Sequence, residues 1–228
     1  MSETRFLTLN DLAGHTLPKF VVVEGAIGVG KTTLTRMLAD CFNYDTLLEQ
    51  PEENPFLERF YAQEKNAALS TQLFFLMQRA QQLNKLRQED LFSPTRVSDF
   101  LIDKDRLFAE ATLDQHELAL YQQVYEHLTL DVPTPDLVIY LQAPTDVLLE
   151  RIARRGIRAE QSIGEDYLNR LNEAYSRFFH FYDASPLLIV NAADVDWVNK
   201  PADFNALVST LLKNVSSGRH YYNPQPSW

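Results

Sequence analysis

The segment Val21 to Leu34, VVVEGAIGVGKTTL, has the residue types and the spacing needed to hold the phosphates of a nucleotide. It fits the pattern G-x-x-x-x-G-K-[ST], with a strand-like run before it and a helical pattern after it. In such a loop the backbone N–H groups turn toward the phosphates, the lysine reaches the β- and γ-oxygens, and the hydroxyl ligates Mg²⁺. The residues predicted to contact the phosphates are Gly25, Ala26, Ile27, Gly28, Val29, Gly30, Lys31, Thr32 and Thr33.

Two acidic residues stand at the ends of strand-like runs, Glu49 in DTLLE and Asp99 in TRVSD. Ligands of parallel sheets bind at the carboxyl ends of the strands, so both side chains are expected near the phosphates. Glu49 is predicted to be a general base that accepts the proton of an attacking substrate hydroxyl. Asp99 is predicted to hold Mg²⁺ together with Thr32. Either acid could instead be a solvated strand-end charge or a helix cap.

A third candidate site lies in the helical pattern NAALSTQLFFLMQRAQQLNKL. Gln72 and Arg79 fall within its apolar face, about 10 Å apart along the helix axis. Polar groups directed inward need partners, and the rim of a flat heteroaromatic ligand such as a nucleobase would supply them, with Phe75 covering its face. The alternative is a structural pair of Arg79 with a carboxylate and a core hydrogen bond from Gln72.

Four arginines in the segment ERIARRGIRAEQ form the next cluster. Arg151, Arg154, Arg155 and Arg158 would share one face if the helix continued past Gly156. Such a segment is typical of a lid that folds over a triphosphate and stabilises the charge on the transferred group. The alternative is a solvated basic helix end favoured by the helix dipole.

Short apolar runs alternate with longer helical patterns, which predicts an α/β fold with a five-stranded parallel sheet flanked by helices. Asn54 and Pro55 form a typical helix start. Predicted strands cover 20–24, 45–49, 95–99, 136–141 and 187–191, and predicted helices cover 31–42, 67–88, 114–130, 145–154, 165–184 and 202–214. We expect residues 1–228 to form one domain with a lid at about 151–163, and residues 215–228 to be a surface appendage.

The composition argues against some classes of binding partner and of cellular location. A formal net charge of -10 argues against binding to a nucleic acid polymer or to an anionic membrane surface. Cys41 is the only cysteine, which excludes an intramolecular disulfide and suits a reducing compartment. Because no apolar run approaches the length of a membrane span, the sequence predicts a cytoplasmic protein.

Six ordered motifs resemble those of the deoxynucleoside kinase family, from about Phe20 to Asn191. They are EGAIGVGKTT, EQPEENPFLERFY, STQLFFLMQRAQQL, DKDRLFA, RIARRGIRAEQ and YLNRLNEAYSRFF. The resemblance implies a phosphate-loop kinase fold, ATP and Mg²⁺ as cofactors, a small deoxynucleoside as substrate, and a homodimer.

The same resemblance assigns individual residues. It makes Glu49 the base near the 5′-hydroxyl and Gln72 the partner of the nucleobase. Tyr61 and Glu160 match the pair that binds the 3′-hydroxyl, and Arg79 with Asp105 matches a pair typical of members that accept purines or cytosine. Arg151 and Arg155 match lid arginines. Arg158 lies one position after the place where relatives often have arginine, and as part of the arginine cluster it is predicted to bind the nucleotide cofactor.

The chain departs from the family pattern in two places. After the third strand the family commonly has an acid-Arg-Ser triplet, whereas this chain has Asp99-Phe100-Leu101, and Lys104 or Arg106 is expected to compensate. In the lid, Ile157 stands where relatives often have arginine.

These observations predict ATP-dependent 5′-phosphorylation of a deoxynucleoside for nucleotide salvage, with deoxyadenosine first, deoxycytidine or deoxyguanosine as alternatives, and thymidine as a poor substrate. Two other functions stay open. One is a nucleoside monophosphate kinase of the thymidylate kinase type, and the other is a non-catalytic nucleotide-binding regulator. A GTPase switch has less support because the sequence contains no Asn-Lys-x-Asp stretch.

Overall fold

The computed structural model of the protein describes residues 5–64, 66–89, 95–128, 132–214 and 217–224, with only the backbone at 86–89 and 214. Its strands form one sheet in the order β2-β3-β1-β4-β5-β6, and every pair is parallel. The strands are β1 Phe20–Gly25, β2 Asp45–Leu47, β3 Arg96–Ser98, β4 Leu137–Gln142, β5 Leu187–Asn191 and β6 Arg219–Tyr222.

Eight α-helices are described in these ranges. They are α1 Lys31–Phe42, α2 Leu57–Tyr61, α3 Ala67–Glu89, α4 Lys104–Thr112, α5 Gln115–Leu128, α6 Thr145–Arg155, α7 Glu165–Phe181 and α8 Pro201–Asn214. None of them is long and apolar enough to cross a membrane. Helix α4 was not predicted, and the predicted end of α5 at 129–130 lies outside the described residues.

The central strand β1 explains why the sheet needs helices on both faces. Val21, Val22 and Val23 are all fully buried, although successive side chains of a strand point to opposite faces. Val21 stands opposite Leu137 of β4 and Val97 of β3, so β1 is hydrogen-bonded on both sides. A strand that is buried on both faces needs a continuous apolar run, which is why VVV predicted this strand well.

A second apolar cluster fixes the helices that flank the β2–β3 edge. Leu76 and Leu83 of α3 pack with Phe100 and with Tyr121 of α5. This packing brings α3 and α4 together beside the carboxyl ends of β2 and β3. It therefore sets the position of the polar residues of α3.

Among the described residues the sheet has six strands, so the prediction of five was too low, and part of the predicted tail forms the sixth strand. Residues 219–222 pair with β5, with Arg219 opposite Leu187. The Arg219 guanidinium also donates to the carbonyls of Phe179 and His180 at the end of α7. An edge strand that pairs on one side and carries the sequence RHYY lacks the apolar run that marks a buried strand.

Candidate active site

A cavity of about 810 Å³ lies outside the carboxyl ends of the parallel strands, where ligands of such sheets bind. The phosphate loop lines its centre. Its remaining walls come from α2, α3, α4 and α6 and from the segments after β2, β3, α6 and β5. They include Glu49, Tyr61, Gln72, Phe75, Arg79, Asp99, Lys104, Arg151, Arg154, Arg155, Glu160 and Asp194.

The phosphate loop owes its shape to glycines at close contacts. At Gly28 the φ angle is +84°, and a Cβ atom there would lie 2.9 Å from the carbonyl oxygen of Leu148 in α6. At Gly25 a Cβ atom would lie 2.4 Å from the carbonyl oxygen of Leu141 in β4. The motif therefore uses glycine because the loop packs directly against neighbouring backbone.

Lys31 folds back over this loop. Its Nζ donates to the carbonyl oxygen of Gly25 at 2.8 Å and lies within the cavity wall. Burial, together with repulsion from Lys104, lowers the pKa of Lys31 below its ordinary value.

Thr32 and Asp99, the two predicted metal ligands, meet directly. The hydroxyl of Thr32 donates to Asp99 Oδ2 at 2.6 Å, and the backbone N–H of Glu49 donates to Asp99 Oδ1 at 2.8 Å. Burial, followed by the charge of Glu49, raises the pKa of Asp99. The strand-end acids of β2 and β3 thus lie beside the end of the phosphate loop, as the parallel sheet requires.

Glu49 belongs to a buried ion network of five alternating charges, Glu24, Lys104, Glu49, Arg79 and Asp105. Lys104 Nζ lies 2.7 Å from Glu49 Oε1 and 3.3 Å from Glu24 Oε1. Arg79 Nη2 lies 2.5 Å from Glu49 Oε1, and its Nη1 pairs with Asp105 Oδ1. Burial alone would raise the pKa of Glu49, but Arg79, Lys104 and Lys31 hold it well below its usual range.

At the far end of the network, the carboxyl group of Asp105 is fully buried. Burial raises its pKa to about 7 against the attraction of Arg79 and Lys104. Its Oδ2 atom has no hydrogen-bond partner among the described residues. Unlike Arg79, Asp105 does not line the cavity.

Gln72 and Phe75 face the same end of the cavity as Arg79. The guanidinium of Arg79 lies 4.9 Å from the centre of the Phe75 ring, and the amide of Gln72 donates to the hydroxyl of Thr112 at 3.3 Å. Arg79 therefore has the carboxylate partners of the structural alternative and still borders the cavity.

The four arginines do not share one helix face, because the condition for it, a helix that continues past Gly156, is not met. Helix α6 ends at Arg155 because Gly156 adopts a left-handed conformation with φ +70°, a common helix stop. Arg155 pairs with the buried Glu160, and both line the cavity. Arg158 is 93% exposed, lies 3.6 Å from Glu58 and does not line the cavity.

Arg151 connects two loops rather than pointing freely into the cavity. Its guanidinium donates to the carbonyl oxygens of Val29, at 3.2 Å, and of Ala192, at 2.8 Å. It therefore fixes the segment after β5 against the phosphate loop.

Comparison with known proteins agrees with this geometry. The sequence model of the deoxynucleoside kinase family matches residues 21–216. The chain belongs to the deoxynucleoside kinase family. A deoxyguanosine kinase of Bacillus subtilis (strain 168) is 36% identical over 200 residues, which is 86% of this chain and 96% of that one. A deoxyadenosine/deoxycytidine kinase of the same organism is 28% identical over 209 residues, 86% of this chain and 94% of that one.

A solved structure shows the same fold. The deoxyadenosine kinase of M. mycoides with bound dATP superposes with a TM-score of 0.73 at 27% identity, covering 85% of this chain and 98% of that one. The predicted α/β fold and the predicted kinase class are thus confirmed, and the preference for deoxyadenosine is not.

Sequence reasoning missed one wall of the cavity of this deoxynucleoside kinase. Ala193 to Asn199 line the cavity directly after β5. The strand-end rule that selected Glu49 and Asp99 would have selected this segment too, since Asn191 ends a parallel strand. Lys104 was named only as a substitute for a missing arginine, and its two buried carboxylate partners could not be read from the sequence.

Proposed function

We propose that this deoxynucleoside kinase transfers the γ-phosphate of ATP to the 5′-hydroxyl of a deoxynucleoside that carries an exocyclic amino group. One observation carries the proposal: Glu49, Gln72 and Arg79 line the same cavity as the phosphate loop, and Arg79 contacts Glu49. A nucleoside whose base lies at Gln72 and Arg79 would direct its sugar toward Glu49. In this arrangement Glu49 accepts the proton of the 5′-hydroxyl as the oxygen attacks phosphorus.

The residues at the end of the loop fit Mg²⁺. This ion keeps several waters and takes one or two protein oxygens together with substrate phosphates, so a hydroxyl and a single carboxylate suffice. Thr32 and Asp99 supply that pair, and the described residues contain no cluster of three or more His, Cys, Asp or Glu that could hold a metal. When bound, the ion neutralises charge on the phosphates.

Cationic side chains would stabilise the transferred group. Lys31 is positioned by the loop, and Arg154 and Arg155 reach the cavity from the end of α6. Positive groups that are already in place when charge develops lower the barrier without reorganisation. In this proposal Arg151 acts as a clamp on the loop carbonyls, and Arg158 has no contact with the nucleotide.

Tyr61 and Glu160 are proposed to bind the 3′-hydroxyl of the sugar. Both line the cavity, and burial raises the pKa of Tyr61 well above its ordinary value, so its hydroxyl stays a donor. Glu160 pairs with Arg155 through Oε2 and places a carboxylate in the cavity wall, where it can accept a hydrogen bond from the sugar.

For the base, deoxyadenosine is the substrate predicted from the sequence, because a glutamine can pair with N6 and N7 of adenine. Deoxyguanosine is a second candidate on two grounds. Arg79 lines the cavity while Asp105 does not, and a guanidinium donor suits the O6 and N7 acceptors of guanine. In addition, the relative that is 36% identical is named a deoxyguanosine kinase.

A role in nucleotide salvage, a homodimer and a cytoplasmic location complete the proposal and rest on the family resemblance and the composition. Two other functions predict different results. A monophosphate kinase needs arginines that face a second phosphate. After Asp99, where the family commonly has an arginine, this chain has the buried apolar residues Phe100 and Leu101. A non-catalytic regulator would bind nucleotide without turnover.

The test is the rate of phosphate transfer from Mg-ATP to each of the four deoxynucleosides and to thymidine monophosphate. We expect kcat/KM for deoxyadenosine or deoxyguanosine to exceed that for thymidine by about ten- to hundred-fold, since thymidine leaves polar groups of the pocket unpaired. Preference for thymidine, or for the monophosphate, would refute the proposal. Nucleotide binding without any transfer would support the regulator.

A further inference from the structure

Lys104, the first residue of α4, is a fully charged side chain in the protein interior. Its side chain is 3% exposed, and its Nζ lies between the carboxylates of Glu24 and Glu49. Burying an ammonium group is costly unless it is paired, so its place between two carboxylates needs a reason.

The two carboxylates differ in how much they depend on Lys104. Glu24 also accepts hydrogen bonds from the backbone N–H groups of Gly25 and Leu101 and from the hydroxyl of Tyr175. Glu49 has only Arg79 and Lys104 as side-chain partners among the described residues, and both of them contact the same atom, Oε1. Lys104 thus matters more for the orientation of Glu49 than for the charge of Glu24.

The geometry at Glu49 separates the two oxygens of its carboxylate. Oε1 is held from one side by Lys104 and from the other by Arg79, whereas no donor among the described residues reaches Oε2. A carboxylate held by one oxygen has a fixed orientation and keeps the other oxygen free to accept a proton. Loss of such a contact can displace a reacting group by an ångström and cost about a hundred-fold in rate.

The neighbouring sequence offers no other cation for this task. Phe100 and Leu101 are buried apolar residues that do not line the cavity. Arg106, the second candidate from the sequence, lies 5.6 Å from the centre of the Tyr125 ring and is likewise not part of the cavity wall.

We propose that Lys104 is the positioning residue of this kinase, which holds Oε1 of Glu49 so that Oε2 receives the proton of the 5′-hydroxyl. The proposal rests on the proposed role of Glu49 as the base. Lys104 acts through Glu49 and is specific to the step in which the hydroxyl attacks.

The experiment compares Lys104→Met and Lys104→Arg with the parent by steady-state kinetics and thermal unfolding. We expect Lys104→Met to lower kcat by about ten- to hundred-fold, to change KM for the nucleoside by less than about three-fold, and to affect every accepted nucleoside equally. Lys104→Arg keeps the charge and should recover most of the lost kcat.

A matched double variant separates positioning from folding. Lys104→Met leaves Glu24 as a buried charge with one cation fewer, whereas Glu24→Gln/Lys104→Met removes both charges. The amide of Gln at position 24 can still accept from the N–H of Leu101 and donate to the hydroxyl of Tyr175. If Lys104 positions Glu49, the double variant melts closer to the parent than Lys104→Met does but keeps its low kcat. Recovery of the parent kcat in the double variant would overturn the proposal, because Lys104 would then only neutralise Glu24.

A second background tests whether Lys104 acts through Glu49. In Glu49→Gln, the change Lys104→Met should lower kcat by less than about two-fold, since the group it positions is already absent. A full ten-fold further loss in that background would refute the proposal. Failure of the proposed function would instead appear in the parent, as absence of transfer to any deoxynucleoside.

Discussion

The cavity has two ends, which the proposed function assigns to the phosphates and to the nucleoside, and these ends are held in place by different means. At the phosphate-binding end the backbone sets the geometry, through glycines that pack against carbonyl groups of β4 and α6. At the nucleoside end the buried ion network of Glu24, Lys104, Glu49, Arg79 and Asp105 sets it through side chains. Backbone geometry is fixed by a short motif, whereas the network depends on residues from four separate segments.

This difference determines how each end should respond to substitution. Removing one cation at the phosphate-binding end removes charge from a wall that borders solvent and ligand. Removing one charge from the network leaves a buried partner with one counter-charge fewer, which is destabilising. Catalysis and stability are therefore coupled at the nucleoside end and more easily separated at the phosphate end.

Glu49 is where the two ends meet, so its substitution should have the largest effect. We expect Glu49→Gln to lower kcat by about 10²- to 10⁴-fold, the usual contribution of a general base, with substrate binding largely kept. Steady-state kinetics will measure this, with Glu52→Gln, an exposed acid of the same segment, as the control. Turnover within a few-fold of the parent would remove Glu49 from this role.

The next test uses two arginines at the phosphate-binding end. Arg155 lines the cavity, whereas Arg158 is exposed beside Glu58. Loss of one stabilising donor typically costs about 10²- to 10³-fold in kcat, so Arg155→Ala should depress kcat strongly and by a similar ratio for every nucleoside. Arg158→Ala should stay within about two-fold of the parent, as expected for an exposed ion pair.

Two other results for Arg155 and Arg158 would contradict this expectation. A loss confined to one nucleoside would move Arg155 to substrate selection, and equal losses in both variants would support the role at the nucleotide that the sequence assigned to Arg158. Either result would weaken the contrast between the two ends, because the phosphate-binding end would then also read the substrate.

Much of the fold could be predicted because buried parallel strands are recognisable in the sequence as short apolar runs. β1, β4 and β5 are continuous apolar runs, and β5 was predicted at its observed bounds, Leu187–Asn191. Helix α4 was missed because its first turn holds Lys104 and Asp105, whose burial depends on partners in other segments. β6 was missed because an edge strand is defined by its pairing with β5 and not by its own composition.

The residues of the candidate site also differ in how far the sequence predicted them. The phosphate loop and the strand-end acids Glu49 and Asp99 follow from a motif and from one rule of parallel sheets. The contacts of Arg151 with the carbonyls of Val29 and Ala192 join distant loops through main-chain atoms, which no side-chain pattern records. The full burial of Asp105 likewise follows from tertiary packing alone.

A smaller effect is expected on selectivity at the nucleoside end. Replacing Arg79 by Met together with Asp105 by Ala removes the guanidinium that borders the cavity at this end and the buried carboxylate paired with it. We expect the ratio of thymidine to deoxyadenosine kcat/KM to rise by about ten- to hundred-fold. Arg106→Met is a suitable control, since Arg106 lies on the same helix as Asp105 but outside the cavity wall.

The absolute rate of that double variant is not the readout. Arg79 also contacts Glu49, so kcat for every substrate is expected to fall. An unchanged ratio would show that the network positions Glu49 without reading the base, and the nucleoside end would then resemble the phosphate-binding end more closely.

The last prediction concerns the pH dependence of stability, where the network should differ from the rest of the molecule. The pKa of Asp105 is raised to about 7 by burial, above its ordinary value of 3.8, so between these values the folded state binds more protons at this site than the unfolded state. The contribution of Asp105 to the free energy of unfolding is therefore lost as the pH rises from about 4 to about 7. Each pH unit changes the folding equilibrium constant by at most about ten-fold. Asp105→Asn removes the titration and should flatten that slope, which urea unfolding of both proteins at a series of pH values will measure. Parallel slopes for parent and variant would mean that Asp105 stays ionised in the fold, stabilised by Arg79 throughout this range.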